Sequence, residues 1–215
     1  MNKFKFIDLF SGIGGFHQAM EQLGGTCVFA SEIDPYCIKT YYNNYGVNAD
    51  HNVREVEAWD IPAHDVLCAG FPCQAFSLAG QRKGFEDNYK GLCRGTLFMD
   101  VARICEHHKP KVIFCENVKG LVIHDKGRTF KIIYNTFVDL GYTVFYKVLN
   151  SKNFGVPQNR ERIYVVAFRN DIAPVDFAFP IGTDNTKRIK DILEEDAVPA
   201  KYYLSETYLQ TLRNH

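Results

Sequence analysis

Phe4-Lys5-Phe6-Ile7-Asp8-Leu9-Phe10-Ser11-Gly12-Ile13-Gly14-Gly15-Phe16 reads as a strand that bends through a glycine turn into a helix. Residues 4–10 are mostly apolar, as a strand buried on both faces requires. Beyond the turn, apolar runs keep alternating with helix-periodic segments. Residues 27–33, 65–69, 111–115, 143–149 and 162–168 read as strands, and 15–23, 35–45, 96–107 and 128–140 as helices. Asp34-Pro35 supplies a side-chain cap and a first-turn proline for the second helix. Leu97, Val101, Ile104 and His108 share one face of the third, and Phe130, Ile133, Phe137 and Leu140 one face of the fourth, which Gly141 closes. This alternation predicts an α/β fold, a mostly parallel sheet with helices on both faces. Such a sheet takes ligands outside the carboxyl ends of its strands. The residues with chemical character fall there: Gly12-Ile13-Gly14-Gly15, Glu32, Pro72-Cys73 and Glu116.

Composition narrows the function. Of 215 residues, 46% are hydrophobic, so the chain can bury a core and global disorder is excluded. Lys and Arg number 25, as do Asp and Glu. Zero net charge excludes holding nucleic acid by bulk electrostatics but allows a local basic patch. Seven cysteines, with no C-x-x-C pair, fit a reducing compartment and argue against a structural zinc site. Cys27, Cys37, Cys105 and Cys115 read as small hydrophobes. Early charge rules out a signal peptide at the start, and no apolar run approaches membrane-span length.

The glycine turn departs from the dinucleotide fingerprint G-x-G-x-x-G, because His17 stands at the third glycine position. Glu32 follows Gly12 by 20 residues, where a carboxylate commonly accepts from ribose hydroxyls. An adenosine ligand without pyrophosphate satisfies both facts, and S-adenosylmethionine is one. A turn that only packs helix against sheet fits the glycines equally well.

Gly70-Phe71-Pro72-Cys73-Gln74-Ala75-Phe76-Ser77 carries the reactive candidate. Pro72 restricts Phe71 to extended backbone and breaks regular structure. The segment that follows runs to about residue 95 and carries Gln81-Arg82-Lys83-Gly84, Lys90 and Arg94. A thiol at the mouth of the crevice beneath a long basic loop is a candidate nucleophile. Glu116-Asn117-Val118 ends the next strand, and a carboxyl there could hydrogen-bond or protonate a ring nitrogen. Arg160 and Arg162, two apart at a strand entry, point the same way and could hold a carbonyl oxygen or phosphates. Solvated salt bridges with Glu161 are the alternative for them.

Four ordered motifs then resemble the cytosine-5 DNA methyltransferases of bacterial modification type: Asp8 to Gly15, Gly70-Phe71-Pro72-Cys73-Gln74, Glu116-Asn117-Val118 and Gln158-Asn159-Arg160-Glu161-Arg162. Lys83-Gly84-Phe85-Glu86-Asp87 and Gly95-Thr96-Leu97-Phe98 add to the likeness, which covers about residues 4–205. The resemblance implies a Rossmann-like, S-adenosylmethionine-dependent methyltransferase fold over residues 1–170. It implies methyl transfer to C5 of a flipped-out cytosine in double-stranded DNA through a covalent bond from Cys73 to C6, with S-adenosylhomocysteine as product. Cys73, Glu116, Arg160 and Arg162 would be catalytic. Phe10, Gly12, Ile13, Gly14, Gly15, Glu32, Ile33, Asn52, Val53, Pro72 and Leu97 would surround the cofactor. Gln74, Ser77, Gln81, Arg82, Lys83 and Val118 would line the substrate loop, which closes over the base. No metal or membrane partner is implied, and a bacterial cytoplasmic setting within a restriction-modification system is. Same-chemistry and non-enzymatic alternatives are an RNA cytosine-5 methyltransferase of the DNA-enzyme type and a cofactor-binding subunit that needs a partner.

Three departures from the family pattern stand out. Asn52 occupies the place of an Asp that contacts the adenine. Residues 88–93 lengthen the closing loop. The later motifs and the variable target-recognition domain do not appear, so 171–215 reads as a connector toward that domain. The chain is then expected to be a fragment, a natural truncation or the larger subunit of a split enzyme.

Overall fold

Phe6, Ile7, Asp8 and Leu9 are all fully buried, and the strand that holds them, β1 (Phe4–Leu9), is covered on both faces. The computed structural model describes residues 3–72, 88–89, 92–93, 97–174, 176–183, 187–196 and 198–214, with 88–89 and 92–93 by backbone alone. α1 (Gly15–Gln22), β2 (Gly25–Ser31), α2 (Pro35–Tyr45) and β3 (Val66–Ala69) follow β1. Next come a short antiparallel pair, β4 (Asn88–Tyr89) and β5 (Leu92–Cys93), then α3 (Leu97–His108), β6 (Val112–Val118) and α4 (Arg128–Asp139). β7 (Tyr142–Asn150), β8 (Glu161–Arg169) and α5 (Glu206–Arg213) complete the set.

Among the described residues the main sheet has six strands in the order β2-β1-β3-β6-β8-β7. β2, β1, β3 and β6 pair in parallel, whereas β8 runs antiparallel to both neighbours. The chain moves outward from β1 to β2 and then returns to the other side at β3. The crevice beyond the carboxyl ends of β1 and β3 is therefore the topological switch point.

Each face has its own core. Ile7, Leu9, Leu67, Ile113, Cys115 and Ile163 meet Phe98, Val101, Ile104, Ile133 and Phe137 from α3 and α4. Phe6 and Cys68 meet Met20 of α1 on the other face, with Phe16 and Phe114 beside them. Each large side chain sealed in this way contributes about 1.5–3 kcal/mol.

The predicted caps are present. Asp34 accepts from the Tyr36 and Cys37 N–H groups at 2.9 Å each, and Gly141 adopts φ 91° just beyond α4. Within the expected connector, Ile189–Ile192 form a 3-10 turn. α5, capped by the Ser205 side chain, is a further helix that buries none of its side chains. Phe177 joins Phe145 and Phe168 at centroid distances of 5.0 and 5.1 Å, so the start of the tail packs on the β7–β8 edge.

One buried histidine makes stability pH-dependent. The His64 Nδ1–H donates to the Pro62 carbonyl at 2.8 Å, which leaves Nε2 buried without a partner. Burial pushes its pKa down to about 4. The unfolded chain then binds the extra proton first, so stability is complete above about pH 6.5 and declines as pH falls toward 4. The contribution is on the order of 3 kcal/mol. Urea denaturation of wild type and His64→Leu at pH 7 and 4.5 measures it: the wild type should lose more stability on acidification, and equal losses would exclude His64 as the cause.

Candidate functional site

The glycine turn is shaped by its neighbours before any ligand enters. β1 ends at Leu9, and Phe10 takes φ 57°, a left-handed conformation rare for a residue with a Cβ. The Ser11 N–H donates to the Ser31 carbonyl at 3.0 Å, and the Gly14 N–H to the Ser11 carbonyl at 2.9 Å. Gly12 has φ 54°, and a Cβ placed on it would meet nothing within 4 Å. The turn therefore presents bare backbone to open space.

Glu32 locks this turn to the end of β2. Its Oε2 accepts from the Gly12 N–H at 2.8 Å, and its Oε1 from the Ile33 and Asp34 N–H groups at 2.7 and 3.0 Å. Ile33 is 73% exposed and borders an open cleft of about 490 Å³ with Pro35, Tyr42 and Asp50. Ile13, Gly14 and Gly15 border a second open cleft of about 620 Å³ between α1 and the end of α2. The remaining cofactor candidates are placed differently. Asn52 spends its amide on a local turn, donating to Glu55 at 2.7 Å and accepting from the Arg54 N–H at 3.2 Å. The Val53 side chain is in the core, and its carbonyl accepts from Arg103 at 3.0 Å. Leu97 is half-buried at the start of α3, and Pro72 is exposed at the end of the segment leaving β3.

β6 brings two groups to the crevice on opposite faces. Ile113, Cys115 and Asn117 face the α3–α4 core, so Phe114 and Glu116 face α1. Glu116 pairs with Arg162, Nε to Oε1 at 2.9 Å, with side-chain exposures of 27% and 19%. Glu116 stands opposite Tyr164 in the β6–β8 register and Arg162 opposite Val118. Arg162 also donates to the Glu161 carbonyl at 2.8 Å. Arg160 precedes β8, and its N–H donates to Asn150 at 3.2 Å. Arg162 alone of the two arginines is ion-paired with Glu116. Burial raises the Tyr164 hydroxyl pKa, and Glu116 adds to the shift while Arg162 and Arg160 oppose it. The alternative pairing of Glu161 is also present, but with Lys119 at 2.9 Å.

A Cβ added to Gly70 would lie 3.8 Å from the Phe10 carbonyl and 4.0 Å from Glu116 Oε2. The glycine turn, the start of the segment leading to residue 73 and the Glu116 carboxylate thus meet within one side-chain width. Asn117 ties them further: its Nδ2 donates to the Phe71 carbonyl at 2.7 Å, and its Oδ1 accepts from the Val118 N–H at 2.8 Å. Sequence reasoning passed over Asn117, whose one signal was its place directly after Glu116. Val118 is 41% exposed at the same strand end. Cys73, Gln74, Ser77, Gln81, Arg82 and Lys83 lie outside the described residues.

Comparison with known proteins agrees with this architecture. The chain is 54% identical to the type II methyltransferase M.HpaII of Haemophilus parainfluenzae over 99% of its length and 59% of that protein. It is 47% identical to M.HhaI of Haemophilus parahaemolyticus over 90% of its length and 58% of that protein. The chain therefore spans less than two thirds of these relatives. A DNMT2 crystal structure from Spodoptera frugiperda superposes with a TM-score of 0.73 at 25% identity, covering 97% of this chain and 65% of that one. The S. pombe Dnmt2 methyltransferase structure shares the fold, with a TM-score of 0.74. The family model for C-5 cytosine-specific DNA methylases matches residues 4–215, and the chain belongs to that family.

Proposed function

We propose that this chain carries the catalytic part of a DNA cytosine-5 methyltransferase that uses S-adenosylmethionine. The observation that carries the reading is the Glu116–Arg162 pair, held at 2.9 Å within a side-chain width of the glycine turn. The turn suits an adenosine ligand without pyrophosphate: bare backbone at Gly12, and a Glu32 carboxylate fixed at the neighbouring strand end. A carboxylate has about four acceptor sites, so beyond the three bonds Glu32 already accepts one remains, on Oε2, for a ribose hydroxyl. Phe10, Ile13, Gly14, Gly15, Ile33, Pro72 and Leu97 complete the proposed cofactor surroundings.

The cofactor, when bound, supplies a sulfonium methyl group. Cytosine C5 is a poor nucleophile until the ring is converted to an enamine. The Cys73 thiolate forms a bond to C6, and Glu116, which takes up a proton from solvent as the base enters beside Arg162, gives that proton to N3 as the ring electrons shift. Arg162 holds the base at O2 and keeps Glu116 in place. After C5 has been methylated, a base removes its remaining proton, the C6–sulfur bond breaks to restore the thiolate, and N3 returns its proton to Glu116. The target must leave the duplex for this geometry. Gln74, Ser77, Gln81, Arg82, Lys83 and Val118 are the proposed contacts to it, with Arg160 facing phosphate. Residues 171–215 are proposed as the connector to a part that reads the target sequence, whether on the same chain or on a second subunit. No helix among the described residues is long and apolar enough to cross a membrane. The proposed cytoplasmic setting rests on the likeness to bacterial type II methyltransferases.

Three outcomes are expected. Cys73→Ala should abolish the denaturation-resistant adduct with a duplex carrying 5-fluorocytosine, and an adduct that persists in the variant would overturn the mechanism. Glu32→Ala should weaken S-adenosylmethionine binding by about 1–3 kcal/mol in calorimetry. Asn117→Ala leaves the Phe71 carbonyl and the Val118 N–H without their partner. It should cost about 1–3 kcal/mol in urea denaturation and slow adduct formation while cofactor affinity is retained.

A further inference from the structure

His17 stands where a dinucleotide-binding turn has its third glycine, and there it forms part of a buried aromatic support. It is 4% exposed. Its ring stacks on Tyr45 at a centroid distance of 3.9 Å with a 14° interplanar angle. It also meets Phe6 edge-on at 5.3 Å. His17 Nδ1 lies 2.7 Å from the Tyr41 hydroxyl, which donates to Asp8 Oδ2 at 3.4 Å. Burial lowers the His17 pKa and raises that of Asp8, so each favours its neutral form. β1, α1 and α2 thus grip one imidazole.

The support reaches the glycine turn at one atom. The Tyr45 hydroxyl donates to the Gly14 carbonyl oxygen at 3.0 Å, and the same oxygen accepts the Gln18 N–H at 3.0 Å as α1 begins. A Cβ on Gly14 would collide with the Tyr45 ring, so ring and turn are in intimate contact. Gly14 has φ 95° and Gly12 φ 54°, conformations whose freedom must be restrained from outside the turn. A turn ordered in advance spares the ligand that cost on binding.

We propose that Tyr45 is a positioning residue of the cofactor site: carried on the His17 ring, its hydroxyl fixes the Gly14 carbonyl and so holds the glycine turn in the shape that receives S-adenosylmethionine. The inference rests on the functional reading of that turn given above. Tyr45 acts through Gly14 and needs no contact with the ligand.

Tyr45→Phe tests it, because the phenyl ring keeps the stack on His17 and loses only the hydroxyl. Calorimetric titration with S-adenosylmethionine at a temperature where both chains are fully folded should give a Kd about three- to tenfold higher for the variant, the scale of one lost hydrogen bond. A role confined to overall stability would lower the melting temperature and leave that Kd unchanged, so equal Kd values overturn the assignment whatever happens to melting. If the wild-type chain takes up no S-adenosylmethionine, the reading of the glycine turn fails and the inference fails with it. Uptake by the wild type with no loss in Tyr45→Phe removes the role of Tyr45 alone.

Discussion

A single carboxylate joins the first two strand ends. Glu32 accepts the N–H groups of Gly12, Ile33 and Asp34 at 2.8, 2.7 and 3.0 Å. Hydrogen bonds to an ionised acceptor contribute about 1.5–3 kcal/mol each. These fix the path of the chain after β1 relative to its path after β2. The same turn places Asp34 to cap α2, and α2 in turn carries Tyr45 against Gly14 and Tyr41 against His17. The glycine-turn side of the crevice is thus set by contacts between backbone and side chain that exist without any ligand.

The opposite side of the crevice depends on strand alternation. Side chains on β6 switch faces at each residue. Glu116 consequently faces α1 and meets Arg162, while Asn117 faces the α3–α4 core and meets Phe71. Two adjacent residues therefore serve different purposes, one presenting a charge and the other restraining the segment that leaves β3. The antiparallel direction of β8 makes this possible, because its first residues, including Arg162, lie beside the carboxyl end of β6. A parallel β8 would have brought its last residues there instead.

Much of the fold could be read from local pattern. α3 and α4 bury the apolar faces expected from their spacing, with Val101, Ile104, Ile133 and Phe137 in the core. Asp34-Pro35 begins α2, and the parallel pairing of β1, β2, β3 and β6 follows from the helical crossovers between them. The reversed β8 was not legible, since apolar runs carry no direction. Its antiparallel pairing with β7 suits the short connection between them, residues 151–160. α5 carries Tyr208, Leu209 and Leu212 at helical spacing, yet none of its residues is buried by the described chain.

The order of the main strands and of α1 to α4, the glycine turn and the place of Glu32 just beyond β2 were legible in the sequence, because propensity, capping and hydrophobic period act over a few neighbouring residues; Glu116, read as following its strand, lies within β6. Only the tertiary structure decided the partners: Arg162 for Glu116, Phe71 for Asn117 and Gly14 for Tyr45, the last two across 46 and 31 residues of chain. Those pairings arise from how the sheet is ordered and from which face each side chain enters, and no local pattern in the chain encodes either.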